Sequence, residues 1–457
     1  MKRVLRSISW TWLCACLLLA AGPLSATTYY VNSRAGDDAS AGTAMETAWK
    51  SLANLERHRF LPGDSILFAK GSQYTGGFVF RSSGTAERPI YFGSYALPAD
   101  SVMRIDRKEL EPYLVRYGAG PAPSFTNPDW DVLNGNVFHI AGSYIVIDGL
   151  YFHDNARPPF SSTRVKNVQK AGAVYLALGT HHNVVRNCEF FHSPVGIKVK
   201  GTHDLITRNY LHDATEPLAR TWGPIAIMIV SPYNEVSYNR VENYGSYGGR
   251  SASDGGVVEL DGVDDAFDGR NVNIHHNISI NNQGFLELAG RHVDSVTVAY
   301  NLSDDFDQFI GGGSMKNVFV YNNTVIRTRE PNVDRYVFWT FAVDSTFMTV
   351  RNNIFVVSKD MHVLGPVTKQ VGHHRVPVGD QVHDHNLYYS VGNPSPIGVP
   401  AGDGDLVADP LFVDAAHRNF RLSRNSPARD RGVDLGYATD LDGYPISGSP
   451  DVGAYEF

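Results

Sequence analysis

Glu259, Asp261 and Glu287 are the side chains in this sequence whose types and spacing best suit chemistry. They sit in two similar segments, Val257-Val258-Glu259-Leu260-Asp261-Gly262 and Phe285-Leu286-Glu287-Leu288-Ala289-Gly290, where apolar residues alternate with a carboxylate or a small residue. That alternation is the period of a strand with one buried and one wet face. If the two strands stack, their acids form a carboxylate pair. Cleaving a glycosidic bond needs such a pair: one group protonates the leaving oxygen and the other attacks carbon or activates water. Glu259 and Glu287 on neighbouring strands would be roughly 5 Å apart at Cα, and Glu259 and Asp261 on one strand roughly 6.5 Å. Like charges at that range push one pKa upward, which supplies a protonated acid at neutral pH.

Stacking is what the surrounding sequence demands. Asn187, Asn209, Asn239, Asn277, Asn301, Asn323 and Asn353 each follow an apolar residue three positions earlier, at intervals of 22, 30, 38, 24, 22 and 30 residues. Gly149 reads as an earlier member of the series and Asn386 as a later one. A unit of about 22 residues, interrupted by insertions, cannot bury its own apolar face and must stack on copies of itself. Stacked in parallel, equivalent asparagines at a turn lie about 4.8 Å apart and can satisfy one another as a ladder.

This repeat resembles the right-handed parallel β-helix proteins of the pectate-lyase-like superfamily. Flanking blocks extend the resemblance. Thr28-Tyr29-Tyr30-Val31-Asn32, Trp49-Lys50-Ser51-Leu52 and Leu61-Pro62-Gly63-Asp64 resemble the first coils of secreted bacterial β-helices, with a helix around Ser51 to Arg59 plugging the core. Ala408-Asp409-Pro410-Leu411-Phe412, Asp440-Leu441-Asp442-Gly443 and Asp451-Val452-Gly453-Ala454-Tyr455-Glu456 resemble their C-terminal cap. The resemblance implies an all-β solenoid with a helical N-terminal cap and a C-terminal cap, and a function in binding, cleaving or modifying polysaccharides. It says little about the reaction, because one scaffold hosts many chemistries. The expected organisation is a signal peptide over 1–26 and one domain over 27–457. Within that domain 27–97 form the first coils and cap, 98–136 an inserted loop, 137–390 the central coils and 391–457 the cap. Residues 157–170, 264–270 and 363–380 read as further insertions, of the kind that wall a groove.

Composition agrees with an exported, turn-rich β protein. Lys2, Arg3 and Arg6 precede an apolar run from Trp10 to Ala21 that is too short to span a bilayer, and Ala26 offers a small residue for cleavage. No later apolar stretch is long enough to anchor the chain, so a periplasmic or secreted location is expected. Cleavage would remove three basic residues and take the formal net charge from −7 to −10, which disfavours nucleic acid and acidic membranes as partners. It would also remove Cys14 and Cys16, leaving Cys188 with no partner for an intramolecular disulfide. Stability must then come from a core, and the protein is expected to be a monomer.

Aligning the coils by hand places Lys198, Met228, Glu259, Glu287 and Gly311 in one outward column on an exposed face. Lys200, Val230, Asp261, Ala289 and Gly313 run beside it. Gly311 and Gly313 would leave room for a sugar ring, and Trp339 one coil further could be a stacking platform. Lys198 and Lys200 could bind an acidic sugar or be plain surface lysines; Arg291 and His292 are placed for substrate contact or proton transfer. Asp304-Asp305 with Asp307, and Asp264-Asp265 with Asp268, could hold Ca²⁺, which prefers carboxylate and carbonyl oxygens, although turn aspartates commonly face solvent instead. His373-His374 with His383 and His385 have a spacing that could hold a transition metal but match no fixed metal motif. The leading expectation is a glycoside hydrolase of a polysaccharide or oligosaccharide, with Glu259, Glu287 and Asp261 catalytic and no cofactor required. The alternative is a polysaccharide lyase, because Glu259-x-Asp261 resembles the paired calcium ligands of alginate and chondroitin lyases. Against it, Glu287 stands where those families place a basic catalytic residue. A third possibility is a β-helix that binds or epimerises an exopolysaccharide without cleaving it.

Overall fold

The computed structural model describes residues 25–96, 122–155, 170–215, 223–245, 255–261, 268–290, 293–313, 315–329, 336–340, 346–365, 368–371, 374–377 and 379–457. Over these the chain winds as a right-handed parallel β-helix whose coils contribute one short strand to each of three sheets, of 13, 9 and 12 strands. Sheet 1 begins at Thr28–Val31 and ends at Gly379–Asp384; sheet 2 runs from Phe78–Phe80 to Phe338–Thr340; sheet 3 runs from Gln73–Thr75 to Leu406–Val407. A representative coil passes through Val195–Val199 in sheet 2, Leu205–Thr207 in sheet 1 and Tyr210–Ala214 in sheet 3, then returns to sheet 2 at Ile225–Ile229. Stacking repeats each inward side chain one strand spacing away. Phe125, Phe152 and Phe190 therefore stack ring on ring, with centroids 5.5 and 4.9 Å apart. One continuous apolar column of mostly Val, Ile, Leu and Phe runs through the described coils, and its burial is the main drive for coiling.

The asparagine ladder is present and continuous from Asn209. The backbone N–H of each of Asn209, Asn239, Asn277, Asn301, Asn323 and Asn353 donates to the side-chain oxygen of the next, at 2.8–3.0 Å. Each side-chain amide donates to that same oxygen, at 2.9–3.0 Å. Asn386 passes the ladder on to Asp405. At the upper end, however, the rung is Cys188, whose N–H donates to Asn209 at 3.0 Å. Asn187 is one residue out of register, as is Gly149. In Val184-Val185 and Val146-Ile147 two apolar residues are adjacent, and it is the second, Val185 or Ile147, that enters the core. Asn187 instead adopts a left-handed conformation (φ 53°), as do Arg208, Tyr238, His276, Tyr300, Asn322, Asn352 and His385 directly before the other rungs. Burial pushes the Cys188 thiol up to about 12, so it acts as core rather than as a nucleophile.

The ends differ from expectation in detail. The plugging helix is the five residues Ala53–Arg57, with Leu55 driven into the core beside Trp49 and Phe60. The loop expected over 98–136 lies outside the described residues up to 121. After that it contains a regular sheet 3 strand, Ser124–Thr126, paired on both sides, and a buried Trp130. The insertion expected over 363–380 holds a hairpin of Thr368–Val371 with His374–Pro377 and the start of the last sheet 1 strand. The C-terminal segment folds back over the outer face of sheet 3 as a lateral buttress. Phe420, Leu441, Ala454 and Tyr455 pack on Leu302 and Ile326, and Leu422, Ala428 and Val452 pack on Ile354 and Leu387. The outward residues Leu302, Ile326, Ile354 and Leu387 of those sheet 3 strands are apolar, and the buttress covers them. It is pinned to two turn asparagines: Asn352 exchanges bonds with Val433, and Asn322 donates to the Asp451 carbonyl.

Candidate active site

Sheet 2 carries the acids. Its strands Gly256–Leu260 and Leu286–Leu288 pair in parallel with Glu259 directly opposite Glu287. The strands can lie close because Gly256 (φ 136°) precedes the acid; a Cβ there would fall 2.4 Å from the Gly284 carbonyl oxygen. The same register extends both ways, through Met228, Lys198, Tyr175 and His139 upstream of Glu259 and through Gly311 and Trp339 beyond Glu287. The hand-aligned column is therefore correct at every rung, and Trp339 belongs to it beside Gly311. Both acids lie on one column, one strand spacing apart.

The column is not an exposed face. Lys198 and Met228 are 0 % exposed, Glu259 is 5 % exposed and Tyr175 8 %, whereas Glu287, Asp261, Lys200 and Trp339 are half-buried. A lysine buried this completely cannot meet a substrate in the structure as it stands. Nor does Gly311 leave open space: a Cβ there would stand 3.1–3.5 Å from the side chain of Gln308, which folds over it. The neighbouring column holds from Lys200 through Val230 to Asp261, each donating its N–H to the strand above. It then slips, because the next such bond is made by Gly290 in place of Ala289, so Ala289 is bulged out of the ladder. Arg291 and His292 lie outside the described residues, as do Asp264, Asp265 and His373.

Three members of the site escape a reading of the sequence. Tyr175 and His139 pack with their rings tilted by 31° and centroids 4.6 Å apart, and burial together with nearby Arg81 lowers the His139 pKa. The signal was the short strand Val174-Tyr175-Leu176, alignable with Ile197-Lys198-Val199. Gln308 has no such signal, because its side chain reaches the column from a corner. Its amide oxygen is buried with no hydrogen-bond partner, as is that of Gln283.

Asp304, Asp305 and Asp307, considered for Ca²⁺, do not converge on a common point. Asp304 receives Arg329 at 2.8 Å and Arg418 at 2.7 Å. Asp305 accepts from Ser279 at 2.6 Å and from the Asn282 N–H at 2.9 Å, and lies 3.7 Å from the wholly buried Arg327. Asp307 accepts from Gln283 at 3.1 Å. His383 and His385 turn to separate partners, Asp405 and Asp384. Among the described residues no group of three or more His, Cys, Asp or Glu side chains is placed to hold a metal ion. A cavity of about 640 Å³ between sheet 3 and the C-terminal buttress includes Asp304, Arg329 and Arg418 in its lining; these three groups are committed to one another.

No protein-family model matches the chain. A stretch of 75 residues, 16 % of the chain, is 40 % identical to a lacto-N-biosidase of Bifidobacterium longum subsp. longum, and the match spans only 5 % of that protein's length. Among solved structures, XylC with xylose superposes over 94 % of this chain and 98 % of its own, with a TM-score of 0.54 and 11 % identity. A GH136 lacto-N-biosidase from Eubacterium ramulus covers 84 % of this chain and 67 % of its own, with a TM-score of 0.40 and 14 % identity. The likeness to XylC is one of fold.

Proposed function

We propose that the protein is an exported glycoside hydrolase acting on a polysaccharide or oligosaccharide, with Glu259 and Glu287 as its carboxylate pair. The observation that carries this reading is their register: opposite one another on adjacent strands, in a column flanked by aromatic residues. Two carboxylates held one strand apart supply the acid and the nucleophile or base that glycosidic cleavage requires. Asp261, half-buried two residues from Glu259, orients substrate or water. Trp339, two rungs beyond Glu287, offers a ring for a sugar face. The short match to a lacto-N-biosidase supports hydrolysis of a glycosidic bond and leaves the sugar open. Export is supported by the basic N-terminus and its apolar run; among the described residues no helix is long and apolar enough to cross a membrane. Elimination would need a basic residue at the pair; Lys198 on the column is fully buried, and Arg291 and His292 lie outside the described residues.

Glu259→Gln and Glu287→Gln should each lower kcat by about a hundredfold or more with unchanged circular dichroism, measured by reducing-end release from a panel of neutral and uronic acid glycans. Full activity in both variants would remove the pair from the mechanism. A product absorbing in the near ultraviolet would mean elimination.

A further inference from the structure

The cavity of about 640 Å³ between sheet 3 and the C-terminal buttress lies on a different sheet from the acid pair and has a chemistry of its own. Its floor is one outward column of sheet 3, where Asp304, Ile326, Val356 and Tyr389 stand opposite one another on four successive strands. At about 4.8 Å per rung that floor is about 14 Å long. The facing wall is the buttress, with the half-buried Phe412 and the buried Phe420, whose rings meet edge to face with centroids 5.3 Å apart. Beside them Leu411 is 41 % exposed and held in a left-handed conformation (φ 51°), a strained geometry for a bulky residue. Asp409 ties wall to floor, because its carboxylate accepts from the Leu411 N–H at 2.9 Å and from the Tyr389 hydroxyl. The charges among the described lining residues cancel: two arginines and two aspartates. Arg329 and Arg418 both meet Asp304, so an anion would have to displace that carboxylate and a cation would face both arginines. Among the described residues Arg418 bonds through Nε alone, which leaves its two terminal amino groups as donors, and Thr328 adds an exposed hydroxyl. A wholly apolar ligand would strip water from these polar groups without replacing it. Rings and aliphatic side chains beside mutually neutralised charges suit a ligand with apolar C–H faces and a rim of hydroxyls.

We propose that this cavity is a second saccharide site, which takes a short stretch of a neutral glycan with sugar C–H faces against Phe412 and Tyr389 and hydroxyls bonded to Arg418 and Thr328. Its volume falls within the range of about 300–1,000 Å³ of small-molecule sites. The chain passes from Glu287 through the sheet 1 strand Val293–Ala299 to Asp304 within one coil, so the floor begins in the coil of the acid pair and continues three coils further. A glycan held there stays near the acids at a raised effective concentration. That use rests on the hydrolase reading above; the binding itself does not.

The test is isothermal titration of the full protein carrying both Glu259→Gln and Glu287→Gln, which prevents turnover, with cellohexaose, xylohexaose, mannohexaose and hexagalacturonate. At least one neutral hexasaccharide should bind. Adding Ala416→Trp, which sets a large ring in the cavity lining, or Arg418→Gln, which removes the free amino donors, should weaken that binding about tenfold or more. Melting temperatures show whether each variant is folded, and Arg418→Gln decides if Ala416→Trp disrupts the buttress. Unchanged binding in the folded variants, or no binding of any neutral glycan, would overturn the site. Tighter binding of hexagalacturonate than of the neutral glycans would overturn the ligand class. If the wild-type protein cleaves no glycan while the cavity variants still lose binding, the hydrolase reading fails and this site stands.

Discussion

Glu259 and Glu287 owe their meeting to the backbone alone: 28 positions apart in the chain, they become neighbours because one coil separates them. Parallel neighbours set the two Cα atoms about 5 Å apart and project the side chains in the same direction, and carboxyl groups that keep this spacing stand about 5 Å apart. That is the separation of retaining glycosidases, where the second carboxylate attacks carbon directly, and is shorter than inverting enzymes need to admit water. The first-formed product should therefore keep the anomeric configuration of the substrate, as read by proton NMR before mutarotation. Inverted product would reassign the second role to Asp261, which shares a strand with Glu259. The acids, Lys198 and Trp339 were all legible in their rungs, because alternation and repeat length fix which residues point outward. Their burial was not legible, because it depends on what lies over the column. The same limit hid Gln308, whose side chain covers the glycine expected to leave room for sugar.

At the scale of the element, the asparagine ladder is the joint that holds coil to coil. The Asn301 side chain accepts from the Asn277 backbone and side-chain amides and donates to Asn323 and to the Ile274 carbonyl. Asn301→Ala would strand several buried polar groups and should cost about 2–4 kcal/mol. Asn187→Ala, outside the ladder, should cost well under half of that; both are read from urea unfolding midpoints. The contrast marks where the sequence misleads: the Asn187 register error comes from two adjacent valines of which only one can face inward. The buttress should respond to pH. Burial, together with Asp451, raises Glu456 to about 7. A raised carboxyl stabilises the fold below its unfolded pKa, and that contribution is lost as pH rises through 7. Glu456→Gln should therefore raise the melting temperature relative to wild type at pH 8 and not at pH 4. The gain is roughly 1 kcal/mol once partial exposure is allowed for. His276, which contacts the Thr439 carbonyl at 3.2 Å, is lowered to about 4 by burial and by His275. Its contribution is complete above about 6.5 and fades as pH falls through 4, opposite in sign to that of Glu456.

For the whole molecule, contacts run from coil to coil, so the ends matter more than in a globular domain. The short Ala53–Arg57 helix plugs the first coils with Leu55, which is 1 % exposed. Leu55→Asp would open that end and expose strand edges to other copies. It should produce oligomers by size-exclusion chromatography while the β-sheet circular dichroism persists. The stacking of coils could be read from the sequence through period and spacing, and the plugging helix through the resemblance of the first coils to those of secreted bacterial β-helices. The lateral placement of the C-terminal segment could not, since nothing local to it states which outer face it will cover.

The ladder has one more consequence, for chemical ageing. An asparagine deamidates when the backbone nitrogen of the following residue attacks its side-chain amide. In this fold the nitrogens of Arg240, Ile278, Leu302, Thr324, Ile354 and Leu387 are each tied to the carbonyl of the rung above. The amides they would attack are held by their neighbours. Both reactants are immobilised at every rung, so the amide spine should resist deamidation better than asparagines outside the ladder.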